Sequence, residues 1–241
     1  MWVYELLSFF FPSPCVVCNK PTHRGAYVCD ACRDKLIYIG RNSVCRTCLS
    51  PIPSSETLCG ACLVNPPEYD RLISCVYFTG AVRKSLHRYK FRDRPDLSAP
   101  FGKMLCEQLS SWGCTDFDVV IPVPLSKNRL KERGYNQSAL HAKEIAKHFS
   151  CEHNETALYR RKETARQSSL AYKYREFNVR GAFALKTTAP IKGKHILLVD
   201  DIFTTGATAR AAVSPLQKHA ASVTVCTVAR AGGVLNIAPP N

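Results

Sequence analysis

The thirteen residues 196–208, ILLVDDIFTTGAT, leave few folds open to this chain. Four consecutive apolar residues, Ile196, Leu197, Leu198 and Val199, suit a strand covered on both faces, the pattern of a parallel sheet sandwiched between helices. Asp200 and Asp201 then emerge at the carboxyl end of that strand, where open parallel sheets take their ligands. Neither acid has a role in an apolar core. Thr204, Thr205, Gly206, Ala207 and Thr208 follow as a hydroxyl-rich turn into a helix, and closely spaced N–H groups at a helix N-terminus attract a phosphate. The carboxylates suit sugar hydroxyls or a metal. A dinucleotide site is disfavoured, because the chain contains no GxGxxG.

These residues resemble the 5-phosphoribosyl 1-pyrophosphate (PRPP) signature of type I phosphoribosyltransferases. The resemblance implies that Asp200 and Asp201 hold the ribose hydroxyls and stabilise positive charge developing on the ring, while Thr204–Thr208 hold the 5′-phosphate. It also implies Mg²⁺, bridging the pyrophosphate and the ribose hydroxyls of PRPP.

A second pattern lies upstream. Cys15, Cys18, Cys29 and Cys32 form two CxxC pairs, and Cys45, Cys48, Cys59 and Cys62 repeat them with the same spacer of ten residues. Two CxxC knuckles close a tetrahedral site, so the repeat predicts two structural Zn²⁺ ions with no ligand position left open for catalysis. Matching repeat lengths favour one zinc per repeat, with an interleaved cross-brace as the alternative. Cys75, Cys106, Cys114, Cys151 and Cys226 stand singly among apolar residues and are expected to be bystanders of core or surface. Thirteen cysteines without a recognisable leader fit a zinc protein of a reducing cytoplasm better than a secreted disulfide scaffold. Residues 2–11 are apolar yet too short to span a bilayer, so they are expected to form a short packed helix without stable membrane insertion.

The formal charge of +14 falls to roughly +10 once two zinc ions are each bound by four thiolates. A surface this basic favours polyanions, nucleic acid or phosphorylated small molecules, and says nothing of sequence specificity. Three segments carry most of it. Residues 81–90 read as a helix with Val82, Leu86 and Tyr89 inward; Arg83, Lys84, His87, Arg88, Lys90, Arg92 and Arg94 crowd around its other face and the residues after it. That face suits either a nucleic-acid backbone or plain solvent. Residues 125–137, LSKNRLKERGYNQ, read as a loop after the strand at 117–124, with Lys127, Arg129, Lys131 and Arg133 placed to neutralise a pyrophosphate. Residues 160–180 carry seven basic residues and read as a lid bringing Arg160, Arg166, Gln167 and Arg175 over a bound ligand.

Together, PVPL…RGYNQ, RQSSL…NVRGAF, LLVDDIFTTGAT and the paired ribbon resemble the ComF/GntX family of PRPP-binding proteins over nearly the whole chain. The family implies an α/β fold of the type I phosphoribosyltransferase kind, a parallel sheet with helices on both faces, preceded by a small double zinc ribbon. The expected domains are 1–66 for the ribbon and 67–241 for the phosphoribosyltransferase-like part. The expected site is Asp200, Asp201 and Arg133 for catalysis, with Lys131, Arg129 and Arg166 joining Thr204–Thr208 in binding PRPP or a related phosphorylated ribose. No residue announces an acceptor pocket. For the ComF branch the family also implies natural competence, with single-stranded DNA and competence-machinery proteins as partners; a non-catalytic nucleic-acid adaptor on the same scaffold is the alternative. Pro215, within the helix after the turn, is expected to kink it at a cost in stability.

Overall fold

The computed structural model describes residues 13–23, 26–91, 94–162 and 179–232. The apolar run at Ile196–Val199 lies at the centre of a five-stranded sheet, and its side chains divide between two cores. Leu197 and Val199 pack on one face, and Ile196 and Leu198 on the other. This period of two explains why the segment is apolar throughout.

Two short helical turns, α1 (Asp30–Arg33) and α2 (Gly60–Val64), start at the second cysteine pair of each ribbon, capped by Cys29 and Cys59 and carrying Cys32 and Cys62. The chain then runs through β1 (Arg71–Tyr77), α3 (Gly80–Phe91), α4 (Ser98–Ser111) and β2 (Val119–Pro122). Next come α5 (Lys127–Arg133), α6 (Gln137–Phe149) and β3 (Glu152–His153). The antiparallel pair β4 (Leu158–Arg160) and β5 (Phe183–Leu185) flanks the sheet, which is completed by β6 (His195–Phe203), α7 (Ala207–Gln217) and β7 (Ser222–Arg230).

The sheet order is β3-β2-β6-β7-β1, and every pairing is parallel. From β2 the chain steps outward to β3, and from β6 it steps the opposite way to β7. The strand order therefore reverses between β2 and β6, and the crevice at their carboxyl ends is where such sheets bind ligands. Right-handed crossovers in opposite directions put α6 and α7 on opposite faces. α3 buries Val82, Leu86 and Tyr89, as its periodicity predicts, together with Ser85.

The ribbon is built into both cores. Cys15, Val16, Val17 and Cys32 pack with α3 and α4 on one face, while Ile39 and Leu49 pack on the α7 face. Between them the backbone covers the edge strand: Ile39 N–H donates to the Cys75 carbonyl (3.0 Å), Tyr77 N–H to Ile37 (2.9 Å) and Leu72 N–H to Thr47 (2.9 Å). An exposed edge of β1 would otherwise present unpaired backbone groups. Ser85 and Arg88 complete the join by donating to ribbon carbonyls, Ser85 to Val16 and Arg88 to Val16 and Val17.

Residues 125–137 are not a plain loop. Ser126 caps α5 by accepting from Arg129 N–H, and Gly134 ends it at φ +77°. A serine cap and a left-handed glycine with seven residues between them outweigh the cationic crowding that suggests a loop. α7 continues two residues past Pro215. The single cysteines are buried, apart from the half-buried Cys151. Among the described residues, no helix is long and apolar enough to cross a membrane.

Gly102 of α4 faces α6 so closely that a Cβ there would stand 2.5 Å from Glu144 Cβ. Glycine to alanine within a helix ordinarily adds about 1 kcal/mol of stability. Here Gly102→Ala is expected to lose about 1–3 kcal/mol through overpacking, measured by urea denaturation.

Candidate functional site

The carboxyl end of β6 carries Asp200 to a small concavity of about 10 Å³, lined in part by Val123, Asp200, Thr204, Gly206, Thr208 and Thr227, and Asp201 follows it in the strand. The two acids have different surroundings. Asp200 accepts from Ser138 Oγ (3.1 Å) and from Asp201 N–H (2.8 Å). Burial, aided by the neighbouring Asp201 charge, pushes its carboxyl up to about 7. Asp201 is paired with Lys90, Oδ2 lying 2.6 Å from Nζ, and both side chains are largely buried.

The threonine turn is held open by glycine. Gly206 caps α7 at φ +80°, and a Cβ there would meet the Phe203 ring at 2.7 Å. Thr205 Oγ1 accepts from Ala207 N–H at 3.2 Å. The remaining first-turn N–H groups of α7 have no partner within the helix, the arrangement that suits an anion.

The residues of RGYNQS form the scaffold behind the acids. Arg133 donates to Gln137 Oε1 (2.9 Å), Tyr135 donates through its hydroxyl to the Tyr89 carbonyl, and Asn136 donates to the Val123 carbonyl (3.1 Å). Asn136 also caps α6 by accepting from Ser138 N–H (3.1 Å), which aims Ser138 at Asp200. One turn further, His141 is fully buried with neither ring nitrogen bonded to protein, and burial lowers its pKa to about 4.

The fold thus brings Asp200, Thr204, Gly206 and Thr208 to one concavity, with Asp201 next to Asp200 in β6, and places α5, with Arg129 and Lys131, after the adjacent strand β2. Arg133 lies over the Phe91 ring (5.1 Å) and is tied to Gln137, which makes it part of the scaffold. Arg166, Gln167 and Arg175 lie outside the described residues, and so does most of the lid segment. Ser138, His141 and Lys90 were not among the expected site residues. RGYNQ carried the signal for Ser138 and His141, since its Asn opens a helix toward the acids. The basic helix face concealed Lys90. Of that face, Arg88 reaches the ribbon, Lys90 the site, and Arg94 Asp96 and Asn19; Arg83, Lys84 and His87 stay exposed.

Each cysteine set forms its own cluster, Cys15, Cys18, Cys29 and Cys32 in one and Cys45, Cys48, Cys59 and Cys62 in the other, with sulfurs within 4.8 Å. Cys18 and Cys29 sulfurs are 3.7 Å apart, and Cys48 and Cys59 sulfurs 3.6 Å. A tetrahedron of Zn–S bonds about 2.3 Å long separates its sulfurs by about 3.8 Å, whereas a disulfide needs about 2.05 Å. The clusters fit structural zinc, one ion per repeat. The oxygen donors of the acidic pair suit Mg²⁺ in kind, but Lys90 already holds the cation position at Asp201.

The chain matches the family described as "Double zinc ribbon domain" over residues 6–63 and "Phosphoribosyl transferase domain" over residues 136–234. It is 32% identical over 227 residues to the "DNA utilization protein YhgH" of Salmonella typhimurium, covering 91% of this chain and 97% of that protein. It is 30% identical over 230 residues to the protein of that name in Escherichia coli (strain K12), with the same coverage. The "Competence protein ComFC" of Bacillus subtilis (strain 168) is 30% identical over 214 residues, 84% of each chain.

Proposed function

We propose that this chain, which belongs to the ComF/GntX family of competence-related, phosphoribosyltransferase-like proteins, binds a 5-phosphorylated ribose of the PRPP class. The observation that carries the proposal is the joining of Asp200 and the Gly206 turn at one concavity at the carboxyl end of β6, with Asp201 next in the strand. On this reading the 5′-phosphate lies against Thr204–Thr208, and the ribose hydroxyls lie toward Asp200 and Asp201. As the nucleophile of an acceptor bonds to the anomeric carbon and the bond to pyrophosphate breaks, its electron pair leaving with pyrophosphate, positive charge develops on the ring, which the neighbouring acidic pair offsets. Arg129 and Lys131 of α5 stabilise the departing pyrophosphate. With Lys90 on Asp201, a Mg²⁺ ion would enter with the diphosphate of the ligand and would supply charge neutralisation there. Thiolate-held zinc fits a reducing cytoplasm.

Calorimetric titration with PRPP tests the proposal. The parent protein is expected to bind with a Kd in the micromolar range, and the double variant Asp200→Asn, Asp201→Asn to bind at least about tenfold more weakly, a difference of about 1.4 kcal/mol. A parent that takes up no PRPP, or a double variant that binds as well as the parent, contradicts it.

A second observation supports a role in handling single-stranded DNA. At the opposite end of the sheet an open cleft of about 530 Å³ is lined by Arg41, Arg46, Arg71 and Trp112, with one acid, Asp70, among them, and Arg41 lies 5.7 Å from the centre of the indole ring. Arginines beside an aromatic plane suit phosphates and stacked bases. An oligonucleotide is expected to bind with steep salt dependence that flattens in Arg46→Ala with Arg71→Ala. Absence of binding at low salt counts against this second role.

A further inference from the structure

The acidic pair faces a cation supplied by the chain itself. Lys90 stands in the last turn of α3, and its ammonium lies 2.6 Å from Asp201 Oδ2, with 16% of the lysine side chain and 13% of the aspartate side chain exposed. The contact lies at the ligand end of the sheet, beside the Asp200 carboxyl that Ser138 holds. With so little of either side chain exposed, little water screens the pair. Mg²⁺ demands a near-octahedral oxygen shell at about 2.0–2.1 Å and gives up water reluctantly. An ammonium this close to Asp201 blocks that shell on one side and repels a dication in a poorly screened site.

We propose that Lys90 is the resident counter-cation of the acidic pair, excluding divalent metal from the ligand-free site and passing to the phosphoryl oxygens of an anionic sugar ligand when one enters. The second half rests on the phosphoribose reading above; the first half stands without it. Lys90 is then a specificity-determining residue. It selects for ligands that bring an anion to the acidic pair and against those offering only hydroxyls or a bare metal ion.

The test uses the zinc-loaded full chain and Mn²⁺ as the probe, followed by paramagnetic resonance. Mn²⁺ stands lowest in the divalent affinity order and does not displace zinc from thiolates. The parent is expected to show no Mn²⁺ site sensitive to Asp201. Lys90→Met and Lys90→Gln are each expected to gain one, at least about tenfold tighter than any parental binding, and to lose it when Asp201→Asn is added. Two variants of different polarity guard against a folding defect in either. The proposal is overturned if the parent already binds Mn²⁺ in a manner lost with Asp201→Asn, or if both lysine variants are as inert as the parent. None of these outcomes requires a sugar ligand, so failure of PRPP to bind leaves the metal result decisive. Where PRPP does bind, Lys90→Met is expected to weaken it at least about tenfold, and unchanged affinity overturns the exchange.

Discussion

Cys45→Ser is expected to release one of two zinc ions per chain and to lower stability by several kcal/mol, on the order of 5, because the lost knuckle supports more than its own ribbon. Thr47, between the two cysteines of that knuckle, accepts from Leu72 N–H and so covers the edge of β1. Leu49, fully buried, packs into the core on the α7 face. Arg230, at the carboxyl end of β7, donates to the Cys48 carbonyl (2.6 Å) and to Ser50 Oγ (2.7 Å) and is 7% exposed. With the knuckle gone, a nearly buried guanidinium loses two partners and an edge strand is bared. Zinc analysis and urea denaturation check the result together. Two retained zinc ions would show that Cys45 is not needed to hold the ion, and parental stability with one would show that the ribbon is merely appended to the sheet.

The second large effect is expected at Gly206→Val. The residue sits at φ +80°, a region that a β-branched side chain avoids at a cost of about 1–3 kcal/mol. The new Cβ would also stand 2.7 Å from Phe203 Cζ and 3.2 Å from Cε2. That ring has little room to yield. Phe203 is 6% exposed, it meets Tyr69 edge-on at 6.3 Å between ring centres, and its carbonyl accepts from Ala231 N–H at 2.7 Å. The turn must therefore give way. A loss of at least about 2 kcal/mol in denaturant unfolding is expected, together with loss of PRPP binding by calorimetry. Gly206→Ala should fall between the two. A valine variant with parental stability and affinity would mean that the turn is neither strained nor part of the site.

Where a local pattern has one physical solution, this chain is legible from its sequence. Ile196–Val199 alternate between two covered faces, so a continuous apolar run could mean only a central strand, and its end could only deliver Asp200 and Asp201 to a crevice. Ten-residue spacers between CxxC pairs favour one cluster per repeat over a cross-brace, and the clusters form so. Less legible is anything decided by what lies across space. Lys90 shares a helix face with Arg83 and Lys84, which stay exposed, and only the docking of α3 near the end of β6 turns it toward Asp201. Arg88 reads as surface charge until Val16 and Val17 present their carbonyls to it. RGYNQ carries one arginine, which draws attention to anions, yet four of its residues are used in bonds within the fold. Spacing reveals a zinc knuckle, whereas its insertion along β1 depends on carbonyls that any sequence would have.

The most direct measurement is a crystal structure of the zinc-loaded protein with PRPP soaked into it. The 5′-phosphate is expected within about 3 Å of the Thr205 hydroxyl or of first-turn N–H groups of α7, with the ribose hydroxyls beside Asp201 and Lys90 moved from that carboxylate to a phosphoryl oxygen. Density for the ligand elsewhere, with Lys90 still on Asp201 and the Gly206 turn bare, would contradict it.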